Sequence, residues 1–328
     1  MDAQLGLFPD LAPAQHGGRV EPAPPDPDLL ELAERLPAGL RLGTSSWSFP
    51  GWEGIVYDRQ AAESTLAREG LHAYARHPLF RTVGIDRTYY RPVAEDVFRA
   101  YAADVPADFR FLVKADRRTI SPLDPDARDR RTPNPLLFDA AWATDEVVAP
   151  AVEGLGRKLG PILFHLPPMN AGAFGGPGRF AERLGAFLGA LPAGPSYAVE
   201  LRTPALLTGG YADALEGARA SHGYTVHPAM APLERQIAVL PPHYQPTLVL
   251  RWMLGSGLEY MAARARYEPF DRLVDEDPPT RGAVAVCALD ALIAERSAFV
   301  VVNNKAEGSA PLTLRRLAQA ITADRDAP

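Results

Sequence analysis

Residue types suited to acid–base chemistry recur in this sequence directly after short apolar runs. Glu200 follows Tyr-Ala-Val, Lys114 follows Phe-Leu-Val, and Asp86 follows Val-Gly-Ile. A carboxylate at such a position can transfer a proton, and so can a lysine whose pKa falls on burial. We therefore predict Glu200, Lys114 and Asp86 as the catalytic group. Lysine is also rare: only Lys158 and Lys305 accompany Lys114 among 34 basic residues.

Six further residues have types that suit the binding of an anionic ligand. Guanidinium groups clamp carboxylates and phosphates, and aromatic and amide side chains orient a ligand. The predicted ligand-binding residues are Arg202, Arg251, Asn303, His165, Tyr89 and Trp47. Structural alternatives stay open: Glu200 and Arg202 would form an ion pair, Lys114 would bridge to a carboxylate, and the aromatic rings would plug the site.

Familiar cofactor and nucleophile signatures are absent from the sequence. It has no Gly-x-x-x-x-Gly-Lys phosphate loop, no Gly-x-Ser-x-Gly elbow and no His-Glu-x-x-His pair. His165, His227, Asp86 and Glu200 are types that bind divalent ions, but no two of them have the spacing of a local ligand pair. We predict no cofactor and no metal, with a divalent ion at these four residues as the alternative.

The elements that would position these residues alternate along the chain. Segments with helical apolar spacing, such as 180–191 and 314–321, separate short apolar runs that suit parallel strands buried on both faces. The eight runs are 40–46, 82–89, 109–116, 161–166, 196–202, 224–228, 247–252 and 299–303. The pattern predicts a TIM-like (β/α)8 barrel, with a doubly wound open sheet as the main alternative.

A barrel of this kind would bring the predicted site residues together. In TIM barrels the active site lies at the carboxyl ends of the strands. The predicted catalytic and ligand-binding residues all end or follow a predicted strand, whereas no strand start has a comparable set of polar residues. One end of the barrel is therefore the predicted site.

A proline-rich leader, residues 1–38, precedes the predicted barrel domain, residues 39–328. The leader holds seven of the 33 prolines, and we expect an extended linker followed by a short helix with Asp28 as its N-cap and Pro37 at its end. Seven acidic and two basic residues lie in the leader, so most of the net charge of −6 belongs to it. The nearly neutral barrel neither indicates nor excludes a nucleic-acid ligand.

The leader begins with a segment that resembles a known docking peptide. Residues Gln4, Leu5, Leu7 and Phe8 match the Gln-Leu-x-Leu-Phe peptide by which bacterial polymerases and repair proteins bind the replication sliding clamp. Three apolar side chains on an extended tail suit insertion into a preformed groove. The resemblance implies the sliding clamp as a partner, and the alternative is that these side chains fold back onto the barrel.

Several sequence blocks of the barrel are similar to the YecE-like family, domain-of-unknown-function family 72. The blocks are 43–48, 51–52, 83–90, 111–115, 159–168, 197–202, 303–304 and 308–310. The resemblance implies a TIM-like barrel and a site at these blocks, and it names no reaction. Two positions depart from the family pattern: Gly84 stands where a glutamate is usual, with Asp86 two residues on, and His165 stands where glutamine is frequent.

Composition limits the functional classes. The chain of 328 residues, with 47% hydrophobic and 23% charged residues, is globular in composition, and it has no apolar run long enough to span a membrane. The single Cys287 and an N-terminus without signal-peptide features lead us to expect a cytoplasmic protein.

Two functions from different classes fit these observations. We predict an enzyme with hydrolase- or lyase-type acid–base chemistry on an anionic substrate. The alternative is a non-catalytic protein that binds a ligand or the sliding clamp. An open mouth that exposes Glu200 and Lys114 would favour catalysis, whereas a mouth filled by aromatic rings would disfavour it.

Overall fold

The computed structural model describes residues 19–325 except residues 130 and 256, and it leaves out the side chains of residues 324 and 325. The predicted clamp-binding residues Gln4, Leu5, Leu7 and Phe8 lie outside the described residues. Their binding to a sliding clamp stays a prediction.

Eight parallel strands form a closed barrel in sequence order, and β8 pairs with β1. The predicted TIM-like (β/α)8 fold is confirmed, and the closure excludes an open sheet. The strands are β1 Leu40–Thr44, β2 Phe80–Ile85, β3 Arg110–Lys114, β4 Leu159–His165, β5 Tyr197–Glu200, β6 Ser221–Val226, β7 Leu248–Trp252 and β8 Ala298–Val302.

Helices surround the barrel and cover the outer faces of the strands. They are α1 Pro27–Arg35, α2 Glu63–Glu69, α3 Leu71–Tyr74, α4 Glu95–Asp104, α5 Ala140–Ala143, α6 Ala149–Leu155, α7 Pro177–Gly189, α8 Gly209–Gly217, α9 Leu233–Val239, α10 Tyr260–Tyr267, α11 Pro278–Ile293 and α12 Ala310–Arg325. The apolar stripes predicted for α7 and α12 are buried against the core. Short 3₁₀ turns follow several strands, including Arg87–Tyr89 after β2.

The strands are apolar on both faces because both faces are buried. Their outward side chains pack on the helices, and a small inward cluster fills the barrel interior. The inward cluster consists of Leu112, Leu163, Ala198, Val249 and Val301. On β3, β4, β5 and β7, a charged residue or a histidine stands two residues after the member of this cluster. Because side chains alternate along a strand, that residue lies on the same inward face, one layer closer to the carboxyl-terminal end of the barrel, which we call the mouth.

Strand β6 is more polar than its neighbours, and its His222 is bonded inside the protein on both the backbone and the ring. The backbone N–H of His222 donates to Gln245, and the His222 ring bonds with Tyr211 and Gln236. Buried polar groups that are paired in this way carry little cost. A short and polar stretch can therefore complete the barrel.

The end of the leader packs against the barrel's outer helices. Asp26, and not the predicted Asp28, caps α1, because its carboxylate accepts from the backbone N–H of Leu29 at 2.7 Å and Pro27 opens the helix. The same carboxylate pairs with Arg315 of α12 at 2.9 Å, and α1 buries Leu29 and Leu32. Residues 20–36 are therefore attached to the barrel.

The part of the chain that the structure describes contains no helix with the length and apolarity needed to cross a membrane.

Gly43 on β1 allows the close approach of β2, and we predict that it cannot be replaced. A Cβ at Gly43 would overlap the carbonyl oxygen of Thr82, so Gly43→Ala should lower the free energy of unfolding by at least about 3 kcal/mol. Gly282→Ala, in α11 with open space around the new methyl, is the matched control and should raise it by about 1 kcal/mol. Urea unfolding measures both, and equal effects would contradict the packing argument.

Candidate functional site

A buried carboxylate lies at the centre of the barrel mouth. Glu200, the last residue of β5, has no exposed surface. Its Oε1 accepts from Nε of Arg202 at 2.8 Å and lies 2.6 Å from Nη2 of the same side chain, while its Oε2 accepts from Nη1 of Arg251 at 2.9 Å. Both carboxylate oxygens are therefore occupied by guanidinium groups, which are themselves buried.

The absence of a side chain on β6 makes this arrangement possible. Glu200 on β5 aligns with Gly223 on β6, while Arg251 comes from β7, one strand further round the barrel. A Cβ at Gly223 would lie 3.1 Å from the Cβ of Glu200. Gly223 therefore leaves room for the side chains of Glu200 and Leu163, a role that sequence reasoning missed because it depends on strand register.

Glu200 stays ionised in this environment. Burial alone would raise the pKa of Glu200, but the guanidinium groups of Arg251 and Arg202 outweigh that effect and hold the pKa below its ordinary value. An ionised and fully paired carboxylate has no proton to donate. Its geometry favours holding the two arginines in place.

Lys114 lies beside this triad without a bonding partner of its own. Among the described residues, the Lys114 ammonium has no hydrogen bond or salt bridge, and its Nζ lies 3.8 Å from the centre of the Tyr89 ring. Burial lowers the pKa of Lys114 to about 8; nearby Asp86 and Glu200 raise it, and Arg251 and Arg202 lower it. Lys114 is therefore the member of the cluster that changes charge near neutral pH.

His165, at the end of β4, is neutral and unsatisfied. Its Nε2 lies 3.6 Å from Oε1 of Glu200, too far for a good hydrogen bond, and both buried ring nitrogens lack a partner among the described residues. Burial lowers the pKa of His165 well below its ordinary value, and the positive charge of Lys114 lowers it further. Unpaired buried nitrogens at a site are available to a ligand.

A 3₁₀ turn after β2 places Asp86 and Tyr89 at the mouth. Strand β2 ends at Ile85, and Asp86 has helical backbone angles, so the alternation of side chains along β2 does not extend to Asp86. Oδ1 of Asp86 still lies 3.7 Å from Nη2 of Arg251. The Thr88 hydroxyl bonds to the carbonyl of Lys114, which holds the turn against β3 and Tyr89 over the lysine.

Gly84 of β2 lies beside the first strand. A Cβ at Gly84 would lie 3.1 Å from the carbonyl oxygen of Ser45. A larger side chain here would require β1 to shift by a few tenths of an ångström. Asp86 is thus the carboxylate that β2 and its turn supply to the mouth, from a position beyond the strand.

Two predicted binding residues have other partners. Nδ2 of Asn303 donates to Oγ of Ser45 at 2.7 Å, linking the ends of β8 and β1. Trp47 is buried, and its ring packs edge-to-face on Tyr101 of α4 at 5.3 Å. The structure therefore brings Glu200, Lys114, Arg202, Arg251, Asp86, His165 and Tyr89 together, while the contacts of Trp47 are with the surrounding helices.

Metal ligands and cavities do not coincide with this cluster. In the described part of the chain, no three His, Cys, Asp or Glu residues are close enough to hold a metal ion. A cavity of about 120 Å³ lies beside α1, where it is lined by residues such as Pro24, His77 and Pro311. It contains none of the predicted site residues, so we base the site on the charged cluster.

The fold and the charged mouth together define a TIM-like barrel protein. Residues 41–328 match the family model described as "Protein of unknown function DUF72", and the chain belongs to that family. No curated protein sequence is significantly similar to the chain.

Solved structures of DUF72 family proteins share the fold. The protein from Thermotoga maritima MSB8 superposes with a TM-score of 0.58 at 19% identity, covering 85% of this chain and 98% of that one. The protein from Enterococcus faecalis V583 gives a TM-score of 0.58 at 17% identity, covering 86% of this chain and 95% of that one. At this identity the likeness concerns the fold, and the chemistry must be argued from the residues.

Replacing Glu200 should destabilise the barrel, because it would leave two buried guanidinium groups without their counter-charge. We predict that Glu200→Gln lowers the free energy of unfolding by about 3 kcal/mol. Glu182→Gln is the control, since Glu182 and Arg179 form an exposed pair at 3.8 Å on α7, and it should have no measurable effect. Urea unfolding compares the two, and a silent Glu200→Gln would show that the buried pairs are not needed.

Two lysines should titrate near pH 8, and the three lysines of the chain allow this to be observed directly. In protein with ¹³C at lysine Cε, Lys114 and Lys305 should show midpoints near 8, with Lys114→Met and Lys305→Met assigning the signals. Both pKa values lie below the ordinary 10.5 of an unfolded chain, so between about pH 8 and pH 10.5 the unfolded chain binds more protons than the folded protein. The free energy of unfolding should therefore rise with pH over this range. Each variant should lose part of that rise, and midpoints above pH 10 would contradict the assignment.

Proposed function

We propose that the barrel mouth binds an anionic ligand and that Lys114 transfers a proton to or from it, in a hydrolase- or lyase-type reaction. The observation that carries the proposal is an excess of buried positive charge. Lys114, Arg202 and Arg251 surround a single buried carboxylate, Glu200, and each is at most 9% exposed.

The charge excess favours an anion on energetic grounds. A buried cation without a partner is costly, and a ligand carboxylate or phosphate would remove that cost. Arg202 and Arg251 each use one or two N–H donors to bind Glu200, and a guanidinium group has five such donors. Their remaining donors, together with the Lys114 ammonium and the one N–H group of the neutral His165 ring, can bind the ligand's oxygens.

Lys114 is better suited to proton transfer than Glu200. A general acid or base is most effective when its pKa lies near the working pH. The pKa of Lys114 is about 8, whereas the two arginines keep Glu200 ionised. We therefore assign proton transfer to Lys114, the positioning of the arginines to Glu200, and ligand orientation to Asp86.

Non-catalytic binding is the second candidate, and the Tyr89 ring favours it. Glu200 and Lys114 are buried, and Tyr89 covers the lysine at 3.8 Å, so the mouth is not open in the way that would favour catalysis. A ring that moves aside for a ligand and then excludes water would suit an enzyme as well. Activity, measured separately from binding, distinguishes the two.

Sulfate binding and hydrolysis of bis(p-nitrophenyl) phosphate test the proposal in two steps. Sulfate should raise the Tm of the full chain, and Lys114→Met should weaken its binding by about tenfold because one charged partner is lost. If Lys114 is catalytic, the same variant should reduce hydrolysis by about a hundredfold at an unchanged fold.

Lys158→Met is the matched control. Lys158 precedes β4 at the opposite end of the barrel, where its ammonium donates to the carbonyls of Ala102 and Val105. It should alter neither sulfate binding nor hydrolysis. Sulfate binding that is unaffected by Lys114→Met would refute the anion site, and binding without hydrolysis would favour the non-catalytic candidate.

A further inference from the structure

A second buried lysine lies just beyond the end of β8. Lys305 is 5% exposed, and its Nζ lies 4.2 Å from the centre of the Tyr260 ring. Within residues 19–325 as described, its ammonium has no hydrogen-bond or salt-bridge partner. Lys305 thus repeats the arrangement of Lys114 beneath Tyr89: a buried ammonium that contacts a tyrosine ring instead of a carboxylate.

The two lysines lie at the same end of the barrel, because Lys114 is the last residue of β3 and Lys305 comes just after the end of β8. The carboxylate of Asp86 acts electrostatically on Lys114 and on Lys305, and it also lies 3.7 Å from Arg251. The partly exposed carboxylate of Asp86 is therefore a negative charge shared by Lys114, Lys305 and Arg251.

We propose that Lys305 forms a second anion subsite of this mouth, so that the ligand carries two anionic groups, one bound at Lys114 and one at Lys305. The proposal rests on the proposed anion site at Lys114 and specifies its ligand as an extended molecule with two separated negative groups.

Charge balance around Lys305 supports a ligand group there. Burial lowers the pKa of Lys305 to about 8, and Arg264 lowers it further, while Asp86 and Glu268 raise it. Glu268 is already engaged by Arg264, whose Nε donates to its carboxylate at 2.7 Å. The ammonium is therefore undercompensated, and an anionic group would supply the missing charge.

Two hydrogen bonds hold the backbone at Lys305 in place. Its N–H donates to Oδ1 of Asn303 at 3.0 Å, and its carbonyl accepts from Gly255 in the loop after β7 at 2.9 Å. Tyr260, in contrast, is 40% exposed at the start of α10. A lysine whose backbone is held in this way keeps its place when a ligand group displaces the partly exposed ring above it.

Single-group and two-group probes distinguish one subsite from two. Sulfate offers one anionic group, and ethane-, propane- and butane-disulfonate offer two at increasing separation; all stay ionised between pH 7 and pH 9, so they release no protons of their own. Isothermal titration calorimetry on the full chain, in buffers of different ionisation enthalpy, gives both the affinity and the number of protons taken up.

Proton uptake should exceed one per disulfonate bound. At pH 9 a lysine with a pKa of about 8 is about one-tenth protonated, so an anion that restores its charge takes up about 0.9 proton. Occupation of both subsites should therefore take up about 1.8 protons, and sulfate about half of that. At least one disulfonate length should bind about tenfold more tightly than sulfate.

Lys305 variants separate this inference from the proposed function. Lys305→Met should remove the tenfold advantage of the disulfonate and reduce its proton uptake to about 0.9, while sulfate binding at Lys114 persists. Lys305→Arg keeps the positive charge and should keep the tighter binding of the disulfonate. This variant and the Tm of each variant show whether a loss of binding comes from misfolding. Lys158→Met should match the wild type.

Disulfonates that bind no better than sulfate, with at most one proton taken up, would overturn the second subsite and leave the anion site at Lys114 intact. An advantage that survives Lys305→Met would overturn it as well. Failure of every probe to bind would instead refute the proposed function on which the inference depends.

Discussion

The mouth of this barrel depends on the ion pairs of Glu200. Moving a carboxylate into the protein interior is costly, and two guanidinium groups repay that cost only with good geometry. Glu200 meets this condition because each oxygen has its own arginine. The arrangement joins the end of β5 to β7 across β6, so these three strands have to pair before the ion pairs can form.

Arginine and lysine have different tasks in this mouth. The planar guanidinium groups of Arg202 and Arg251 form fixed, directional bonds to Glu200 and keep their charge. Lys114 and Lys305 are compact charges, each covered by a tyrosine ring, and burial brings their pKa values to about 8. The arginines thus form a permanent positive framework, and the lysines supply charge that responds to pH.

Membership of the DUF72 family accounts for the barrel and leaves its chemistry to the residues. The solved family members share 17–19% of residues with this chain, which suffices for the fold. The segment before the matched region adds a structural contact, since α1 packs on α12 through Leu29, Leu32 and the pair of Asp26 with Arg315.

The sequence alone determined the barrel and most of the mouth. Short apolar runs, several of them continuous, are typical of strands buried on both faces, and polar residues at the end of such a strand lie at its carboxyl end, so Lys114, Glu200 and Arg251 could be predicted together. Only the tertiary structure decided their roles. The pairing of Arg251 with Glu200 depends on strand register and on the gap at Gly223, and the pKa of each group depends on burial and on charges distant in sequence. Lys305 likewise lies at the mouth although it comes after the end of β8. The folded barrel decides which side chains become neighbours, and a local pattern of residues does not contain that information.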